Sequence, residues 1–193
     1  MIITKAASNE LVSGAVGAVR DTNDKVSGGG VFTIQCFDKD GNLKWEGASP
    51  NLVVNVGLQD MNTQYFTASG YTATWYLGLY GAASSNNPAA GDTAASHLGW
   101  TEVTDYSQAN RPACTFGSAT NADPSVISNS GSPAVFTMNN TVTVGGAFLI
   151  SNNTKGGSTG ILFSASDFAA PGDRNVVSGD TINVTYTFSL NAV

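Results

Sequence analysis

Apolar and polar residues alternate along much of the chain, and this alternation predicts β-strands. In the segment 181–190 every second residue is apolar and the residues between are Thr, Asn or Ser. The segment 31–37 alternates in the same way and leads into Asp40-Gly41, a pair that favours a tight turn. A second strand over 43–46 would complete this hairpin, so antiparallel pairing is predicted near the start of the chain.

Further runs of the same kind predict an all-β fold. We expect strands over 72–80, 111–116, 135–138, 141–151 and 160–164, and Gly145-Gly146 inside one of them predicts a β-bulge. About eight strands without βα alternation indicate an antiparallel β-sandwich, and a jelly roll is the common eight-stranded version.

One or two short helices interrupt this pattern. Pro50-Asn51 is a start signal for a helix over 51–65, in which four apolar residues could share a face: Leu52, Val53, Val56 and Met61. The segment 92–97 could form one helical turn capped by Asp92.

The N-terminal segment differs from the rest of the chain. Residues 1–20 are rich in aliphatic and small side chains, and residues 21–30 end in three consecutive glycines, which predict a break. We therefore expect an N-terminal arm with a Gly-rich linker over 1–30 and one sandwich domain over 31–193. The arm would either add an edge strand to its own domain or dock on a neighbouring subunit. Its candidate contact residues are Ile2, Ile3, Leu11, Val12, Val16 and Val19.

Composition points to contacts with other proteins. Charged residues make up 11% of the chain, against about 25% in an ordinary soluble domain, and uncharged polar residues replace them. Such a surface loses little solvation when it is buried. The net charge is −6 with only 8 Lys and Arg, so neither nucleic acid nor an anionic membrane is an expected partner. No apolar run is long enough for a membrane helix and no secretory signal is recognisable, so synthesis in a cytoplasm is expected.

The residues that could carry chemistry are few. His97 is the sole histidine, and we expect it to pack beside Trp100 and bond a backbone group rather than serve a catalytic triad. Most acids lie in predicted turns, where they usually satisfy backbone N–H groups, so a glycosidase pair is not expected. Asp38-Lys39-Asp40-Gly41 begins like a calcium loop but lacks its closing glutamate. No catalytic, metal or cofactor site is predicted, nor a disulfide between Cys36 and Cys114.

A cluster of aromatic residues allows two interpretations. Trp75 and Trp100 are expected in the core, because alternation over 72–80 buries one row of side chains. The alternative is a sugar-stacking platform, for which the candidate glycan contacts are Tyr76, Tyr80 and Tyr106.

Several blocks of sequence, in a fixed order, resemble a family of tailed-bacteriophage virion proteins. The blocks are 51–58 (NLVVNVGL), 75–79 (WYLGL), 91–102 (GDTAASHLGWTE), Tyr106-Ser107, Arg111-Pro112, 146–149 (GAFL) and 178–186 (SGDTINVTY). The resemblance covers most of the chain after residue 50 and implies a structural, non-enzymatic protein. The segment 32–57 also looks like the start of some phage fibre or appendage proteins.

The resemblance and the composition together give the expected function. The protein would be a capsid decoration (cement) protein on the outer surface of the virion, made in the bacterial host cytoplasm. Its partners would be the major capsid protein and further copies of itself, as a homotrimer. The alternative is a module of a tail fibre, baseplate or other appendage that contacts a receptor glycan.

Overall fold

The structure is a computed structural model that describes residues 26–67, 74–81, 87–168 and 172–192. These residues form one helix, α1 (Asn55–Thr67), and eleven strands. The strands are β1 (Val26–Phe37), β2 (Leu43–Pro50), β3 (Leu52–Val53), β4 (Tyr76–Gly81), β5 (Glu102–Val103), β6 (Ser125–Ser128), β7 (Ala134–Thr137), β8 (Val142–Ile150), β9 (Leu162–Asp167), β10 (Arg174–Val176) and β11 (Thr181–Ala192).

The strands form two antiparallel sheets that pack against each other. Sheet A has the order β2-β1-β11-β6, with β7 also paired to β11. Sheet B has the order β3-β9-β8-β4-β5, with β10 also paired to β8. The predicted all-β antiparallel sandwich is confirmed. The jelly roll is a finer assignment that this strand order does not establish.

The core between the sheets follows from alternation in β1 and β11. These two strands pair along twelve residues each, and their inward side chains are fully or almost fully buried. The inward residues are Phe32, Ile34, Cys36, Ile182, Val184, Tyr186 and Phe188. The strand predicted over 181–190 is thus confirmed, with its apolar face turned to the core as its period of two requires.

The predicted Gly-rich linker is wrong for residues 26–30. Val26 to Gly30 belong to β1 and pair with β11 from Ala192 back to Phe188. At Gly30 a Cβ atom would lie 2.7 Å from the Tyr186 hydroxyl oxygen and 2.9 Å from the Thr187 carbonyl oxygen. Gly30 therefore allows a neighbouring side chain to pack closely against its backbone, and it does not form a flexible break.

Asn129 fills a gap in sheet A between β6 and β7. Both strands pair with β11, at residues 187–190 and 181–184 respectively. Between them, Asn129 accepts a hydrogen bond from the Tyr186 amide through Oδ1 and donates Nδ2 to the Val184 carbonyl. The side-chain amide takes the place of a strand backbone, so β6 and β7 act as one interrupted edge.

Sheet B is buried on both faces where β4 pairs with β8. A second apolar cluster covers its outer face and includes Val54, Tyr80, Trp100, Phe148 and Leu162. Gly146 pairs with Tyr80 while Val144 pairs with Gly81, so Gly145 is an extra residue in β8. The predicted β-bulge is confirmed.

The helix predicted over 51–65 begins later than expected. Leu52 and Val53 pair with β9 as strand β3, and α1 begins at Asn55. Gly57 is the buried residue of α1, and a methyl group there would overlap the Phe163 backbone, so the helix lies directly on β9. No helix in the described residues is both long and apolar enough to span a membrane.

Candidate functional site

An uncharged and largely apolar surface lies where the last turns of α1 meet the ends of β1 and β11. A groove of about 850 Å³ is lined here by Val26, Met61, Asn62, Gln64, Tyr65, Phe66 and Leu190, and we call these seven residues the α1 surface. Tyr65, Phe66 and Val26 are 81%, 76% and 75% exposed. Large apolar side chains gathered on an uncharged patch are typical of an interaction site.

The exposure of the two aromatic rings follows from how α1 is seated. Gly57 near the start of the helix touches β9, while the last turn carries Tyr65 and Phe66 into solvent. The two rings meet edge to face with centroids 4.9 Å apart. Met61 and Leu190 pack against the main core, so the α1 surface is continuous with the interior of the sandwich.

A cavity of about 550 Å³ adjoins the α1 surface and shares Met61 and Gln64 with it. Side chains of both sheets and of α1 line it, among them Trp75, Leu149, Phe163 and Phe188. Tyr186 forms part of the wall, and its hydroxyl accepts hydrogen bonds from Asn51 Nδ2 at 2.8 Å and Ser164 Oγ at 3.3 Å. The cavity is mostly apolar, and these two hydrogen bonds hold the Tyr186 side chain of its wall in place.

The ionisable groups of this cavity are poorly suited to catalysis. Cys114 lines it, and burial raises the pKa of its thiol to about 12, so the sulfur stays protonated and weakly nucleophilic near neutral pH. Asp60 is the carboxylate in the described lining, and no histidine or second acid stands beside it there. The described lining therefore holds no paired groups of the kind that divide acid and base roles between them.

His97 has a structural setting, as the sequence predicts. Its Nδ1 lies 2.9 Å from the Trp100 carbonyl oxygen, and its ring stacks on Trp100 with centroids 3.9 Å apart. The space that His97 shares with Glu102 is about 10 Å³, roughly the limit for one water molecule. A substrate cannot enter between these two residues.

Asp92 does not cap a helical turn, so that prediction is wrong. Its Oδ2 accepts hydrogen bonds from Trp100 Nε1 at 2.9 Å and from the Ala89 amide at 3.0 Å. Thr93 and Ser96 form an isolated antiparallel bridge instead of a helix. The carboxylate therefore fixes the loop that covers the outer face of sheet B.

The predicted glycan contacts are wrong for Tyr80 and Tyr106, because both rings are fully buried. Tyr80 packs against Trp100 with centroids 5.1 Å apart, and Tyr106 packs against Phe136 at 5.0 Å. The prediction assumed one buried row along β4, whereas the second apolar cluster covers the other row as well. Tyr76 is half-buried beside that cluster.

The described cations all contact oxygen acceptors of the sandwich. Three of the eight Lys and Arg residues lie outside the described part of the chain, and each of the other five contacts an oxygen acceptor. The contacts are Lys39 with Asp40, Lys44 with Asp180, Arg111 with Glu102, Lys155 with the Tyr106 carbonyl and Arg174 with the Gly172 carbonyl. The described surface offers no cluster of unpaired cations.

The remaining expectations concern residues that do not line the α1 surface. The arm contacts Ile2, Ile3, Leu11, Val12, Val16 and Val19 lie outside the described residues. Cys36 and Cys114 are both buried, and neither is part of a disulfide in the structure. Within the described ranges no three His, Cys, Asp or Glu side chains are grouped closely enough to hold a metal ion.

Sequence reasoning missed Tyr65 and Phe66 as surface residues. The residues predicted to share a helix face were Leu52, Val53, Val56 and Met61, of which only the last two lie in α1. Gly57 was the available signal, because a glycine inside a helix often marks the side that touches another backbone. Phe66, nine residues on, lies on the opposite side of α1, whereas Tyr65, eight residues on, lies nearer the Gly57 side and had no such signal.

Comparisons with known proteins add no relative. No protein-family model matches the chain, and neither a curated protein nor a solved structure is significantly similar to it. The class defined by the fold and the surface is therefore an antiparallel β-sandwich with an exposed apolar surface.

Proposed function

We propose that the protein is a structural component of a tailed-phage particle, a decoration protein that binds the outer capsid surface and stabilises joints between major capsid protein subunits. The observation that carries the proposal is the α1 surface, on which Tyr65 and Phe66 are 81% and 76% exposed without a charged residue in the lining. The sequence resemblance to phage virion proteins supplies the biological setting.

Binding alone is enough for such a role. A protein that binds assembled shells but not separated subunits stabilises the shell by mass action, with no chemical step. A stable contact buries about 1,200–2,000 Å² in total, so the α1 surface would be the apolar centre of a larger footprint. Burying one exposed Phe or Tyr contributes roughly 1.5–3 kcal/mol before the costs of association.

The sandwich provides a rigid support for that surface. β1 and β11 pair over twelve residues, and Val26 and Leu190 of the α1 surface belong to these two strands. Contacts built on regular elements lose less conformational entropy on binding than contacts built on loops. The small share of charged residues, 11% of the chain, lowers the desolvation cost at the contact.

The receptor-glycan alternative has less support. A stacking platform needs accessible rings, and Tyr80 and Tyr106 are fully buried. The described residues also place His97 and Glu102 around a space of about 10 Å³, which leaves no room for a sugar there.

Capsid shells lacking the protein give a direct test. Added protein is expected to bind them at saturable stoichiometry and to raise the temperature at which the shells rupture, measured by sedimentation and by heating with a DNA-binding dye. The same preparation is expected to give no signal on a glycan array. Glycan binding with no shell binding would replace the proposal with the appendage alternative.

The variant Phe66→Ser tests the contribution of the α1 surface. Its affinity for shells is expected to fall by about tenfold or more, because an apolar centre residue becomes polar. The matched control is Leu98→Ser, since Leu98 is 85% exposed and lies outside the α1 surface. Equal shell affinities of the two variants would show that the surface is not used.

A further inference from the structure

The α1 surface has an open strand edge beside it. β2 pairs with β1 only from Val31 onward, whereas β1 begins at Val26. Residues 26–29 therefore have β11 on one side and no described strand on the other. At Gly29 no atom lies within 4 Å of the position of a Cβ, so the face of the strand is also uncovered there. Such an edge is a template for β-strand addition.

Apolar side chains line this edge on the side of the helix. Val26 belongs both to the edge and to the α1 surface. Tyr65, Phe66 and Leu190 line the same groove as Val26 and therefore lie beside the edge. An occupant that fits must offer a backbone that can pair and aliphatic side chains that can fill a groove of about 850 Å³. It must also carry little charge, because no residue lining the α1 surface is ionised near neutral pH.

The chain itself contains a segment of this composition. Twenty-five residues precede Val26, and their first twenty include six large aliphatic side chains with only three charged residues. The aliphatic residues are Ile2, Ile3, Leu11, Val12, Val16 and Val19. The segment joins the sandwich at the rim of the α1 surface, because Val26 is the residue at which β1 begins.

We infer that residues 1–20 of one copy occupy the α1 surface and the open edge of a second copy. The inference rests on the proposed structural function and makes the α1 surface the contact between copies, so Phe66→Ser lowers shell affinity by separating copies that bind together. Every copy then both gives and receives a segment, so the contact is head-to-tail and closes into a ring when the rotation between copies permits. A homotrimer is the smallest such ring beyond a dimer.

The length of the segment allows it to reach a second copy. Twenty extended residues span up to about 66 Å, whereas a domain of this size is roughly 40 Å across. The segment is therefore long enough to reach a neighbour.

Site-specific disulfide formation tests the inference without capsid shells. One chain carries Ile3→Cys, Val12→Cys or Val16→Cys, and a ¹⁵N-labelled second chain carries Phe66→Cys. After mixing and mild oxidation, mass spectrometry is expected to find disulfides between labelled and unlabelled chains for at least one position. The native thiols interfere little, because Cys36 and Cys114 are buried. Leu98→Cys replaces Phe66→Cys as the control and is expected to give less than about a tenth of that yield.

Light scattering on the full chain gives a second readout. The full chain and Leu98→Ser are expected to have the mass of an oligomer, while deletion of residues 1–20 and Phe66→Ser are expected to give monomers with unchanged circular dichroism. A monomeric full chain would overturn the inference. So would the absence of disulfides between labelled and unlabelled chains at all three positions, or equal yields for Phe66→Cys and Leu98→Cys. Oligomers with correct disulfides that fail to bind shells would instead remove the capsid role and leave the inference standing.

Discussion

At the scale of single residues, Gly30 connects three parts of the fold. Its amide donates a hydrogen bond to Asn51 Oδ1 at 2.6 Å, and Asn51 Nδ2 donates to the hydroxyl of Tyr186 at 2.8 Å. That hydroxyl lies against the Gly30 backbone, where a side chain would have to be. Gly30 is therefore required by contacts with residues that are distant in sequence.

This arrangement predicts opposite outcomes for two neighbouring glycines. Gly30→Ala is expected to lower the free energy of unfolding by roughly 1–3 kcal/mol, because the new methyl group overlaps Tyr186 and Thr187. Gly29→Ala is the matched control, since open space surrounds that position, and it is expected to be neutral or stabilising by up to about 1 kcal/mol. Urea denaturation measures both variants, and equal destabilisation of the two would refute the role assigned to Gly30.

The same residues show why sequence reasoning failed here. Three consecutive glycines normally predict a break, because glycine has the greatest backbone freedom. In this chain the deciding contact is with Tyr186, which strand pairing brings next to Gly30. Asn129 is a similar case, because its role as a backbone substitute depends on β6 and β7 stopping short of each other on β11. Neither the contact of Gly30 with Tyr186 nor the gap between β6 and β7 can be recognised from the local sequence.

At the scale of elements, a buried ion pair holds the loop between β8 and β9. Arg111 and Glu102 have side chains that are 2% and 9% exposed, and two hydrogen bonds of 2.9 Å and 2.7 Å join them. Arg111 also donates to the carbonyls of Asn152 and Gly157, and Glu102 accepts from the Gly156 amide. The pair thus connects β5 with the loop 151–161.

Removing one partner of this pair is expected to be costly. Glu102→Gln leaves the Arg111 guanidinium buried without a counter-charge, and the free energy of unfolding is expected to fall by about 3–5 kcal/mol. Lys39→Ala is the control, because the Lys39–Asp40 pair is 75% and 63% exposed and such pairs contribute at most about 1 kcal/mol. Thermal unfolding separates the two cases, and a shift for Glu102→Gln no larger than the control would contradict this account.

Element boundaries were predicted well where alternation was long and poorly where pairing was short. The strands over 31–37, 43–46, 135–138, 141–151 and 181–190 correspond to β1, β2, β7, β8 and β11. The strand predicted over 111–116 is absent, and only a single bridge joins Ala113 to Tyr76. β3 was assigned to the helix, because two residues are too few to show a period of two.

At the scale of the whole molecule, five buried weak acids make stability depend on alkaline pH. Burial raises the pKa of Cys36 to about 11 and that of Cys114 to about 12. Burial likewise raises the pKa of Tyr80, Tyr106 and Tyr186 above the usual tyrosine value. Because unfolding lowers these pKa values, the unfolded chain loses protons first as the pH rises.

The sign of the effect follows directly. Stability from these groups is fully present below about pH 8.5, where cysteines of the unfolded chain begin to ionise, and is lost as the pH rises through the folded-state values. We expect the urea midpoint to be lower at pH 10.5 than at pH 8. The limiting slope is about 1.4 kcal/mol per pH unit for each group that ionises only in the unfolded chain.

Replacing the two thiols separates the contributions. The double variant Cys36→Ala, Cys114→Ala should lose the decline that starts near pH 8.5 and keep the tyrosine part above about pH 10. An unchanged midpoint between pH 8 and pH 10.5 in the natural sequence would mean that these side chains are solvated in the folded protein.

The sandwich was thus accessible from the sequence, whereas the α1 surface was not. Alternation determines which side chains in a strand share a face, but it does not tell on which side of a sheet a helix will lie. Tyr65 and Phe66 look like ordinary core residues until their exposure at the end of α1 is seen. The predicted glycan platform was wrong for a related reason, because a second layer of apolar side chains covers β4.

The pairing of Val26 with Ala192 has a practical consequence for display and labelling. Both ends of the described chain leave the sandwich at one place, so a cargo fused to the C-terminus would emerge beside the groove and crowd any partner. The turn after β1 lies roughly 35–40 Å away along the strand. Lys39 and Asp40 at its tip are exposed, and a peptide epitope inserted between them would project from the opposite end of the sandwich.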